Sequence, residues 1–106
     1  EGIFTGIKKE RNMKIHISIM ILVIIFGILF KISKIEWIIC IALFGLVISM
    51  ELINTAIENT VDLITKEKNE QAKIAKDVAA GAVLVSAIAA ATIGLMIFVP
   101  KILAIF

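Results

Sequence analysis

Glu51, Asn54, Glu58 and Asp62 recur at intervals of three and four within the segment ELINTAIENTVD of a 106-residue chain. At about 100° per residue, these four side chains and Thr55 share roughly a third of a helix circumference. Leu52, Ile53, Ile57, Val61 and Ile64 cover the remainder. Carboxylate and amide oxygens on one helical face can share a hard cation such as Mg²⁺, or they can relay protons and ions. A polar stripe can also be interhelical hydrogen-bonding glue, but glue uses Ser, Thr or a single Asn rather than three acids.

A second cluster bears on the choice. In KIAKD, Lys73, Lys76 and Asp77 lie on one helical face where a third apolar run begins. Lysine beside carboxylate-bound Mg²⁺ is what a polyphosphate needs, which favours phosphoryl transfer from a nucleotide. The chain contains no Walker loop, G-x-G-x-x-G or H-E-x-x-H, so an ATP site here is of an unusual kind. Lys66 and Lys68 read as orientation signals without a chemical role. The single cysteine, Cys40, excludes an internal disulfide and a multi-cysteine metal site and reads as a packing residue.

The elements that must carry these residues are membrane helices. Hydrophobic residues make up 60% of the chain and mean hydropathy is +1.06, against the roughly 45–50% apolar share of a soluble domain. Length allows one domain, residues 1–106. The expected architecture is all-α: an amphipathic surface helix over about 1–12 and three transmembrane helices over about 14–32, 35–65 and 75–103. Three helices are too few to enclose a substrate cavity alone, so an oligomer is expected. Ile3, Phe4 and Ile7 share a face and are followed by Lys8, Lys9, Arg11 and Lys14, which suits an anionic membrane surface. No small-residue cleavage site follows the first apolar run, so it should stay in the mature protein.

Trp37 is placed as an interfacial anchor and KEKNEQAK as a water-exposed loop. Ala82, Ser86, Ala90 and Gly94 form a small-residue stripe expected to pack tightly, and Pro100 is expected to kink or end the third helix. Lys8, Lys9, Arg11, Lys14, Lys66, Lys68, Lys73 and Lys76 fall on one side of the membrane and only Lys31, Lys34 and Lys101 on the other. That asymmetry puts the N-terminus and long loop in the cytoplasm. Asp62 should then lie near water and Glu51 near the lipid boundary, about 16 Å away along the helix. A charge at the bilayer centre costs about 2.5–3.5 kcal/mol, so these acids must face other helices or cations.

ELINTAIENTVD followed by AKIAKDVAAGAVL resembles the signature of the small bacterial integral-membrane lipid kinases, the prokaryotic diacylglycerol kinase and undecaprenol kinase family. Glu-x-x-Asn-(Ser/Thr)-Ala-Ile-Glu-x-x-x-Asp and Ala-Lys-Asp occur together at the family's separation, and the three-span layout extends the likeness over nearly the whole chain. ERNMKIH resembles the Gram-positive branch, whose members phosphorylate undecaprenol. The position of His16 is typically acidic in the diacylglycerol branch, so His16 favours the polyprenol reading, although a lone His at a membrane boundary is more often structural.

The resemblance implies a homotrimer in the bacterial plasma membrane with active sites between subunits, MgATP as phosphoryl donor and a lipid alcohol as acceptor. It implies that Glu51 is the catalytic base and that Glu10 and Glu58 are metal-binding carboxylates. Asn54 matches the motif amide, Lys76 and Asp77 the nucleotide-contacting pair, and Asp62 an acid supporting nucleotide or loop. The chain departs from the family pattern in its short surface helix and in the more charged loop TKEKNEQ. The leading reading is ATP-dependent phosphorylation of undecaprenol, with diacylglycerol as alternative acceptor, a cation-coupled transporter as the distant alternative, and no nucleic-acid partner.

Overall fold

The computed structural model describes residues 11–106, which form α1 (Arg11–Leu29), α2 (Lys34–Ile64) and α3 (Glu70–Leu103). All three are long and apolar enough to cross a membrane, and no strand occurs among the described residues. The all-α membrane architecture is as the composition requires. The surface helix expected over about 1–12 falls outside the described residues except at its end, where Arg11 and Asn12 open α1.

The turn between α1 and α2 is closed by local chemistry. Ile32 N–H donates to Gly27 O at 3.1 Å and Lys31 N–H to Ile28 O at 3.2 Å, while Lys31 adopts φ 51°. This is the crossed hydrogen-bond pattern that ends helices on a left-handed residue, here a lysine instead of the usual glycine. Ser33 then caps α2: its Oγ accepts from Glu36 N–H and its own N–H donates to Glu36 Oε1 at 2.9 Å. Glu36 Oε2 accepts from Lys101 Nζ at 2.8 Å, tying the end of α3 to the start of α2.

At the other end α3 begins at Glu70, five residues before the position expected from polarity. Asn69 accepts from Gln71 N–H and Ala72 N–H at 2.9 and 3.1 Å, and that cap starts a helix in residues of good helix propensity. Half of KEKNEQAK is therefore helical. Pro100 lies in the last turn of α3, which continues to Leu103.

The packing of α2 on α3 has a regular seam. Cys40, Phe44, Val47, Glu51, Asn54, Glu58 and Val61 on α2 are all buried or half-buried, as are Ala79, Val83, Ser86, Ala90, Ile93 and Ile97 on α3. Both sets alternate steps of four and three, the 3.5-residue period of left-handed helix pairing. α1 packs on α2, and its backbone does not approach that of α3. Ile32, Cys40, Ile97 and Phe98 form the apolar core, flanked by Trp37, Phe30 and Phe44. Large aliphatic side chains remain exposed along all three helices, including Ile28, Ile41 and Leu84, a surface suited to lipid.

Only part of the small-residue stripe lies in that seam, namely Ser86 and Ala90. Ser86 is buried, but Ala82 is exposed and a Cβ on Gly94 would meet open space. Steps of four turn about 40° too far each time, so a stripe of strict fours drifts off a face that needs an average of 3.5.

Candidate active site

Halfway along the α2–α3 seam, apolar side chains give way to polar ones. Glu51 follows Val47 in the same register and its side chain is 0% exposed. Thr55 is turned inward and donates from Oγ1 to Glu51 O at 3.0 Å. Counting about 1.5 Å per residue along α2, Glu51 lies some 21 Å and Glu58 some 32 Å from Trp37, against a hydrocarbon thickness of about 30 Å. With Trp37 at one interface as expected, Glu51 would fall within the apolar slab and Glu58 at its edge.

α1 supplies the neighbouring polar group. His16 Nε2 lies 3.3 Å from Glu51 Oε2, with 18% of the His16 side chain exposed. The two line a groove of about 320 Å³ that opens between α1 and α3, where the backbones diverge. Asn12 and Ile15 complete its α1 wall, Asn54 extends the α2 floor, and Ala80, Val83, Leu84 and Ala87 form the α3 wall. The groove therefore combines an aliphatic flank with a buried carboxylate, as a lipid bearing one hydroxyl requires.

Asn54 connects this groove to the next acid. Its Nδ2 donates to Glu58 Oε1 at 3.1 Å, and its Oδ1 is buried without a hydrogen-bond partner. No trio of His, Cys, Asp or Glu side chains that could hold a metal occurs among the described residues. Mg²⁺, however, is usually held by one or two carboxylates together with substrate phosphates and several waters. Glu58 could serve as such a carboxylate, and Asn54 Oδ1 beside it could accept from a metal-bound water. Glu10 lies outside the described residues.

A second cavity of about 640 Å³, lined by charged side chains of both signs, sits where α2, the 65–69 loop and α3 meet, and Asp62, Lys66, Lys68, Lys73, Lys76 and Asp77 help line it. Lys76 Nζ donates to Asp62 Oδ1 at 2.5 Å, bridging α2 and α3. Asp77 pairs instead with Lys73 at 3.0 Å. Lys76 and Asp77, adjacent in sequence, thus have different partners.

The candidate residues divide into two sets. Glu51 and Asn54 meet at the groove, Asp62, Lys76 and Asp77 meet at the loop cavity, and Glu58 stands between, bonded to Asn54. Sequence reasoning did not join His16 to Glu51. The available signal was a similar distance from the α1–α2 turn, about 20 Å along α1 for His16 and about 26 Å along α2 for Glu51. It also gave no role to Lys66 or Lys68, which line the loop cavity.

Comparison with known proteins identifies the family. The undecaprenol kinase of Bacillus subtilis (strain 168) is 50% identical over 100 residues, which cover 94% of this chain and 81% of that protein. The diacylglycerol kinase of Synechocystis sp. is 38% identical over 105 residues, covering 98% of this chain but 60% of that longer protein. Residues 1–98 match the family described as prokaryotic diacylglycerol kinase. With matches over nearly its whole length, the chain belongs to the prokaryotic diacylglycerol kinase family of membrane lipid kinases.

Proposed function

We propose that the protein phosphorylates undecaprenol with MgATP, giving undecaprenyl phosphate, and that it works as a homotrimer with its N-terminus and loop cavity on the cytoplasmic side. The carrying observation is the fully buried Glu51, set in an aliphatic groove that Asn54 also lines, with Asn54 bonded to Glu58 in the direction of a charged cavity at the α2–α3 loop. The excess of lysines at the loop end supports the orientation. The Bacillus relative supports undecaprenol as acceptor, and the more distant Synechocystis relative supports diacylglycerol as the second reading.

In this mechanism a lipid hydroxyl enters the groove from the bilayer while its chain stays among exposed aliphatics such as Ile15 and Leu84. An alcohol is a poor nucleophile at neutral pH, so Glu51 accepts its proton as the oxygen attacks the γ-phosphorus. Lys76, with Asp62 and Asp77 holding the loop cavity, receives the nucleotide and balances charge on its phosphates. Glu58, together with Glu10, would hold Mg²⁺, which when bound neutralises charge on the phosphate oxygens.

The test is phosphate transfer from labelled ATP to undecaprenol and to diacylglycerol in matched mixed micelles, with Glu51→Gln as control. Labelling of undecaprenol that is lost in the variant is the expected result. Labelling of diacylglycerol alone would reassign the acceptor. Labelling of neither lipid would remove the kinase reading for this chain and reopen cation-coupled transport, checked by pH-driven uptake into vesicles.

A further inference from the structure

Glu51 is fully buried and His16 is not, yet their side chains meet at 3.3 Å. Among the described residues that line the groove, these two are the titratable ones, because α3 contributes only Ala80, Val83, Leu84 and Ala87. That pairing raises a question the phosphoryl transfer itself leaves open. Each turnover leaves one proton on a buried carboxylate, and it must reach water before the next alcohol can be activated.

We propose that His16 is a relay residue, acting through Glu51, that takes up the proton Glu51 has gained and passes it toward water; the inference rests on Glu51 being the base. The balance runs in two stages. First, the alcohol O–H bond breaks and its proton passes to Glu51. The alcohol oxygen bonds to the γ-phosphorus, and the bond from that phosphorus to the β,γ-bridging oxygen breaks to release ADP.

Then the carboxyl proton moves from Glu51 to the lone pair on His16 Nε2, in the imidazole whose own proton is on Nδ1. The imidazolium loses its Nδ1 proton to water, and solvent exchange resets the tautomer. The net product besides phospholipid and ADP is one proton in water. His16 suits this task because its ring has two nitrogens, one able to accept a proton while the other gives one up, and because its side chain, unlike that of Glu51, is partly exposed in the groove that Asn12 also lines.

The experiment uses the full chain in mixed micelles, comparing wild type, His16→Gln, His16→Ala and Glu51→Gln. Glutamine can still hydrogen-bond to Glu51 but cannot carry a proton. The relay requires His16→Gln to lose about 10- to 100-fold in kcat, with KM for ATP and lipid within about twofold of wild type. In His16→Ala, added imidazole should restore turnover, whereas pyrazole, of the same size but far weaker as a base, should not. Equal size-exclusion profiles and nucleotide binding exclude misfolding as the cause.

Wild-type kcat in His16→Gln, a loss confined to KM, or equal rescue by imidazole and pyrazole would overturn the relay and leave His16 a packing residue. The Glu51 reading fails separately: it is lost if Glu51→Gln retains turnover, whatever the His16 variants do.

Discussion

The α2–α3 seam has two halves built on one spacing, and they hold opposite kinds of side chain. From Cys40 to Val47 on α2, facing Ile93 to Ile97 on α3, the seam is apolar and is tied off by the Glu36–Lys101 ion pair. From Glu51 onward the same register carries Glu51, Asn54 and Glu58 against Ala79, Val83 and Ser86. The apolar half is held by close packing and, at its end, by that ion pair. The polar half buries a carboxylate and leaves Asn54 Oδ1 without a partner, arrangements that cost stability and persist at functional sites. Geometry thus serves both halves equally, and residue chemistry divides one for holding the hairpin from one for the reaction.

Making the polar half resemble the apolar one is the sharpest way to break this contrast. Glu51→Leu should abolish lipid phosphorylation, a loss of at least about 10²- to 10⁴-fold, while leaving the thermal midpoint in detergent close to wild type, because relief of the burial cost offsets the lost contact with His16. A destabilised Glu51→Leu protein would show instead that the carboxylate holds the helices together. Glu58→Gln should weaken the apparent Mg²⁺ affinity by about 10- to 100-fold, read from activity against Mg²⁺ concentration at fixed ATP. An unchanged Mg²⁺ curve would remove Glu58 from the metal site.

The apolar half should answer in stability. A Cβ on Gly27 would lie 2.6 Å from Trp37 Cη2 and 3.1 Å from Ile32 Cδ1, so Gly27→Ala should cost about 1–3 kcal/mol through overpacking. Denaturation in mixed micelles measures this, and the surviving folded fraction should keep its KM for ATP. The smallest effect belongs to the turn beside it. Lys31 occupies the left-handed region at φ 51°, and Lys31→Gly should stabilise the fold by about 1 kcal/mol, with kcat unchanged. A loss of stability there would mean that the lysine side chain contributes more than its backbone conformation costs.

Much of the fold was legible because lipid imposes a simple rule on sequence. Apolar runs of sufficient length must be helices, since backbone polar groups have no other partner in hydrocarbon. The polar break at KISKIEW likewise marks the α1–α2 turn. The start of α3 was less legible, because polarity signals exposure to water and an exposed helical turn is as polar as a loop. Only the Asn69 cap marks the boundary. The small-residue stripe was legible only in part for a related reason: a spacing of four describes one helix by itself, whereas the packed face, which takes in Ser86 and Ala90, follows the period that two helices share.

The sequence by itself determined three apolar helices, the acidic stripe on the second and the motif residues that identify the family, because each depends on neighbours within a few turns of one helix. Tertiary structure decided that Glu51 is fully buried and meets His16, that Lys76 bonds to Asp62 while its neighbour Asp77 bonds to Lys73, and that the candidate residues separate into a membrane groove and a loop cavity. Those facts depend on how far each helix is rotated and shifted against another. That register is set by the joint packing of all three helices, which no local spacing specifies.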